Sequence, residues 1–104
     1  MVNPMRGEVA ITLDGQAHVA RLTLGALAEL EAELGTRSLV EMAGRFESGA
    51  FSAGDVIAVV VAGLRGGGWT GGRADLLAMD VAGGPVAAAQ TAARLLARAF
   101  ALPE

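Results

Sequence analysis

The chain has 104 residues, a net charge of −3 and apolar residues at 53% of its length, enough for one core and one domain. All eight basic residues are arginine and none stands in a basic run, which argues against sequence-independent nucleic-acid binding, where several cations must neutralise phosphates on one face. The absence of cysteine removes a disulfide frame, a thiolate zinc site and a cysteine nucleophile.

The stretch from Arg6 to Gly35 organises the rest. Val9, Ile11 and Leu13 alternate with Glu8, Ala10 and Thr12, the period of a half-buried strand. Asp14-Gly15 then suits a two-residue type I′ turn, whose central residues both need positive φ. That loop length predicts a hairpin over 6–22 with Leu13 facing Gln16, Ile11 facing His18 and Val9 facing Ala20. Val9, Ile11, Leu13, His18, Ala20 and Leu22 then share one face. Glu8 and Arg21 are expected as an opposite-charge pair on the other.

A helix is predicted over 23–34, with Thr23 as its N-cap and Gly35 ending it. Leu24, Leu27, Leu30 and Leu34 form its apolar stripe, with Glu29 and Glu33 on the opposite side. Ser38 and Glu41 make a capping box for a second helix over 38–48, with Leu39, Met42, Ala43 and Phe46 facing inward. Ser52 and Asp55 repeat the device for a third helix over 52–65. Val56, Ile57, Val60, Val61 and Leu64 mark its deepest face. Ala58, Val59 and Ala62 are apolar too, so this helix belongs at the centre.

Arg65-Gly66-Gly67-Gly68-Trp69-Thr70-Gly71-Gly72 reads as the most flexible stretch. A short helix over 73–80 follows. Gly83-Gly84-Pro85 opens a last helix over 85–100, with Val86, Ala89, Ala93, Leu96 and Phe100 inward and Arg94 and Arg98 near its C-terminus, where the macrodipole favours cations. The fold class expected is α+β, mostly α: an N-terminal β-hairpin and four to five helices in a single domain over 1–104. Alanine supplies much of the apolar content beside three Phe and one Trp, so the helices should pack closely through small side chains.

Little in the sequence points to chemistry. Gly66-x-Gly68-x-x-Gly71 formally matches a dinucleotide fingerprint after an apolar run. The Ser52/Asp55 cap predicts a helix there, not a strand, and no acidic residue lies about 20 positions on for a ribose. The absence of lysine excludes a Walker loop. His18 is the sole histidine and reads as a strand residue; Glu29, Glu31 and Glu33 fan around their helix, and Asp75 and Asp80 read as solvent-facing. No catalytic, cofactor-binding or metal-binding residue is expected. Trp69 stands out, a single tryptophan among glycines. It either folds back onto the core or anchors a partner, with Arg65 and Arg73 as flanking polar contacts. The stretch MVNPMRGE lacks the apolar core of a signal peptide, and no apolar run reaches the roughly 18 residues of a membrane span, so a cytoplasmic protein without membrane contact is the expectation.

Asn3, Arg6-Gly7-Glu8-Val9, the Asp14-Gly15 turn, Leu22-Thr23-Leu24-Gly25-Ala26-Leu27-Ala28-Glu29-Leu30-Glu31 and Gly63-Leu64-Arg65-Gly66-Gly67-Gly68 resemble, in order and spacing, the gene transfer agent family of small phage-tail proteins. The Gly83-Gly84 break before an alanine-rich last helix resembles it as well. Gly71-Gly72-Arg73 departs from it, since relatives carry more acidic helix-opening residues there. The resemblance implies a non-enzymatic tail morphogenesis protein without cofactors: a tail assembly chaperone that holds the tape measure protein, the major tail tube protein or both, possible also as a homo-oligomer and transiently tail-associated. The alternative it leaves open is a structural component of the finished tail; a nucleotide-binding domain using Gly66–Gly72 is the third reading.

Overall fold

The computed structural model describes residues 2–35 and 38–100. A 3-10 turn at Pro4–Arg6, capped by the Asn3 side chain, leads into strands β1 (Val9–Leu13) and β2 (Gln16–Ala20). Five helices follow: α1 (Leu24–Leu34), α2 (Leu39–Ser48), α3 (Ala53–Gly66), α4 (Arg73–Leu77) and α5 (Gly84–Ala99). The α+β class, an N-terminal hairpin and then helices in one compact domain, is the one the sequence predicts.

The hairpin register is the predicted one, Val9 with Ala20, Ile11 with His18 and Leu13 with Gln16. Asp14 and Gly15 both take positive φ at the turn, 49° and 78°. Val9, Ile11, Leu13 and Ala20 are buried, and the strands pack on α5 and α3. The expected Glu8–Arg21 pair does not form. The ladder ends one pair short of it, and the Glu8 carboxylate instead accepts from the Asn3 backbone N–H at 2.7 Å. The free edge of β1 gains a bridge the sequence did not announce: Leu13 pairs with Val81, Asp14 N–H donates to Asp80 O at 2.8 Å, and Ala82 N–H donates to Thr12 O at 3.0 Å.

α3 is the central helix. It packs against α1, α4, α5 and β2, and Val59, Val60 and Leu64 are at most 1% exposed. Its capping box is complete, with Ser52 Oγ accepting from Asp55 N–H and the Asp55 carboxylate accepting from Ser52 N–H. Its deepest face is rotated from the predicted one: Ala62 and Gly63 are buried, while Val56, Ile57 and Val61 are half-buried.

Three other expectations are corrected. Leu24 is 87% exposed and Ala26 is buried in its place. A helical side chain covers the turn on its N-terminal side, and the first residue of a helix has no such turn beneath it. The seam of α5 is Thr91, Ala92, Leu95 and Leu96, and Val86 and Phe100 face outward at 69% and 41% exposure. α4 stops at Leu77, so 78–80 are not helical. Among the described residues no single helix is long and apolar enough to cross a membrane, and α2 with α3, which together pass that test, are bent by 120°.

Thr23 caps α1 as predicted, its Oγ1 accepting from Ala26 N–H at 3.1 Å. Thr23→Ala removes that acceptor and should cost about 1 kcal/mol, read as a lower urea midpoint at unchanged m-value.

Candidate interaction cleft

A cleft of about 560 Å³ lies between α1 and α3 and is bordered by Gly72 and Arg73 at the start of α4. Its floor is apolar: Leu30 of α1 with Ala58, Val61 and Ala62 of α3. Glu29 and Glu33, one helical turn apart, form the α1 wall; Arg65, Gly72 and Arg73 form the other.

Arg65 holds the upper end. Its Nε donates to Glu29 Oε1 at 3.1 Å and its Nη1 to Gly71 O at 3.0 Å, tying the glycine loop to both α3 and α1. Asp75 Oδ2 accepts from Gly72 N–H at 2.8 Å and fixes the entry to α4. Both Arg65 and Glu29 are substantially exposed, so their pair positions the loop and adds little stability.

Arg65 and Arg73, singled out in the sequence, are thus brought to one rim, while Trp69 does not line the cleft. Trp69 is half-buried against the core, its backbone N–H donates to Leu64 O at 2.9 Å, and its ring lies over Gly71. A Cβ on Gly71 would come within 2.3 Å of the indole Cζ2, so glycine there makes room for the ring.

The glycine run itself is a packing device. A Cβ on Gly66 would fall 1.9 Å from Arg21 O, and one on Gly67 would fall 1.9 Å from Val19 O. Arg21 N–H also donates to Gly63 O at 2.8 Å. The C-terminal turn of α3 lies backbone against backbone on the exit of β2, which only residues without side chains allow. The stretch read from sequence as the most flexible is held by these contacts. It also follows a helix C-terminus, whereas a phosphate site uses the N–H groups at a helix N-terminus.

Glu29 and Glu33, at i, i+4, share the side of α1 that the sequence gives them, but that side borders the cleft, which reading them with Glu31 as a solvated fan does not show. His18 is half-buried beside Ile11, with Nε2 buried and without a hydrogen-bond partner. Among the described residues no group of three or more His, Cys, Asp or Glu side chains is placed to hold a metal ion.

Comparison with known families gives one decisive match. Residues 6–102 match the family described as phage tail tube protein, GTA-gp10. The chain belongs to that family. Members are tail proteins of phages and gene transfer agents, and this tail protein carries the match from the hairpin through α5. Searches of curated proteins and of solved structures returned no significant match.

Proposed function

We propose that this tail protein is a non-enzymatic tail assembly chaperone that holds the tape measure protein, and through it the tail tube protein, before the tail polymerises. The observation that carries this reading is family membership joined to a sheet of only two strands among the described residues. Subunits that join through a continuous sheet need free strand edges. Here β1 is bridged by Val81, and the exit of β2 is covered by Gly63, Gly66 and Gly67. A surface of mixed charge over an apolar cleft suits transient binding of another chain better than permanent insertion in a tube. Arg65 and Arg73 are the partner-facing residues in this reading, with Trp69 seating the loop between them. The bacterial cytoplasm is where such a protein acts.

Co-expression with the tape measure protein tests it. The soluble yield of the tape measure should rise several-fold with this chain present, and an unchanged yield counts against the chaperone role. Stoichiometric recovery of the chain in purified particles would favour the alternative, a structural component of the assembled tail.

A further inference from the structure

The geometry points to the α1–α3 cleft as the docking groove for about two turns of an amphipathic helix from a partner tail protein, an inference that rests on the binding role proposed above. The cleft runs along α3 from Ala58 on its floor to Arg65 at its rim, seven residue steps and so about 10 Å, the length of two helical turns. Its volume, about 560 Å³, lies within the ~300–1,000 Å³ of clefts that take ligands. The floor is built from small and medium side chains, so a helix can approach closely and seat apolar residues at i, i+4 and i+7.

Charge decides what that helix must carry on its flanks. One wall is carboxylate, Glu29 and Glu33; the other is guanidinium, Arg65 and Arg73. Arg65 and Glu29 are already paired across the upper end, so Glu33 below and Arg73 above present the charges an incoming helix meets. The complementary occupant is a short helix with an apolar stripe, a basic residue on the side facing α1 and an acidic residue on the side facing α4. A helix bearing carboxylates toward α1 would be rejected by Glu33, so the groove fixes the occupant's direction as well as its composition.

The experiment is co-purification of the tape measure protein with the full chain, as wild type and as three variants, each checked by circular dichroism and thermal melting. Ala58→Arg fills the half-buried floor, Glu33→Arg reverses one wall, and Gln90→Arg adds the same charge on the exposed side of α5. The groove predicts at least a tenfold loss of bound tape measure for Glu33→Arg and for folded Ala58→Arg, with Gln90→Arg retaining wild-type capture. Wild-type capture by Glu33→Arg, or equal loss in all three variants, overturns the groove and leaves the binding role standing. If the wild-type chain itself captures none, the binding role and the groove fall together.

Discussion

Gly66→Ala should unfold this protein or come close to it, whereas Gly44→Ala should stabilise it. The two substitutions add the same methyl group to helical residues. At Gly66 the new Cβ would lie 1.9 Å from Arg21 O and 3.1 Å from Ala26 Cβ. The nearer obstacle is backbone, which cannot rotate away, so α3 must separate from β2 and break the Arg21 N–H to Gly63 O bond. Overpacking of ordinary cores costs about 1–3 kcal/mol, and a backbone clash of this depth belongs at or above the top of that range. A domain of this size has only about 5–15 kcal/mol in total. Gly44 sits mid-way along α2 with nothing within 4 Å of the added carbon. There the gain is the helix preference of alanine over glycine, roughly 0.5–1 kcal/mol. Chemical denaturation of both variants beside wild type checks the pair, and equal midpoints for the two would contradict the packing described for the α3–β2 contact.

The same contact explains why part of the fold was legible in sequence and part was not. The hairpin could be read because strand alternation, the Asp14-Gly15 turn and the register all depend on neighbours in the chain. Caps at Thr23, Ser38 and Ser52 were legible for the same reason. The glycine run was misread because glycine has two uses, freedom and close approach, and only the position of a distant strand decides between them. The phase of α5 was misread for another reason. Alanine at most positions carries no directional signal, so Val86 and Phe100 set the predicted stripe. Both lie near helix ends and face outward, while the adjacent Leu95 and Leu96 mark the true seam.

The cleft shows the same division. Arg65 and Arg73 were found from their place beside Trp69, which is a local cue. Their convergence with Glu29 and Glu33 is not local, because it depends on α1 packing against α3 with its N-terminal end beside the C-terminus of α3. Trp69 drew attention for its rarity, yet its indole is turned to the core and the residues that face the cleft are less conspicuous ones. A large side chain in a glycine loop signals that something is packed there. It does not say on which side.

Asp55→Asn should cost about 2 kcal/mol at neutral pH, and the cost should shrink in acid. Asp55 is 2% exposed and joins two elements: its carboxylate accepts from Ser52 N–H at 2.9 Å and takes an ion pair from Arg45 of α2. Burial alone would raise its pKa. The bonds from Ser52 and the Arg45 guanidinium outweigh burial and hold the carboxyl below its ordinary value of 3.8. A carboxylate with a lowered folded-state pKa stabilises the fold above its unfolded value and loses that contribution as pH falls through the folded one. Urea midpoints of wild type and Asp55→Asn should therefore differ most above about pH 5 and converge below 3.8, the magnitude being that of a hydrogen bond to a charged group, roughly 1.5–3 kcal/mol. Arg45→Met makes the complementary test. It removes the Arg45 cation from beside the buried carboxylate, and losing one partner of a buried pair costs up to about 3–5 kcal/mol, less here because the Arg45 side chain is 31% exposed. That cost too should fall in acid, where protonation removes the charge on Asp55. A difference between wild type and either variant that stays flat from pH 7 to pH 3 would show that the α2–α3 corner is held by the stacked rings of Phe46 and Phe51, 4.7 Å apart, and not by the charge of Asp55.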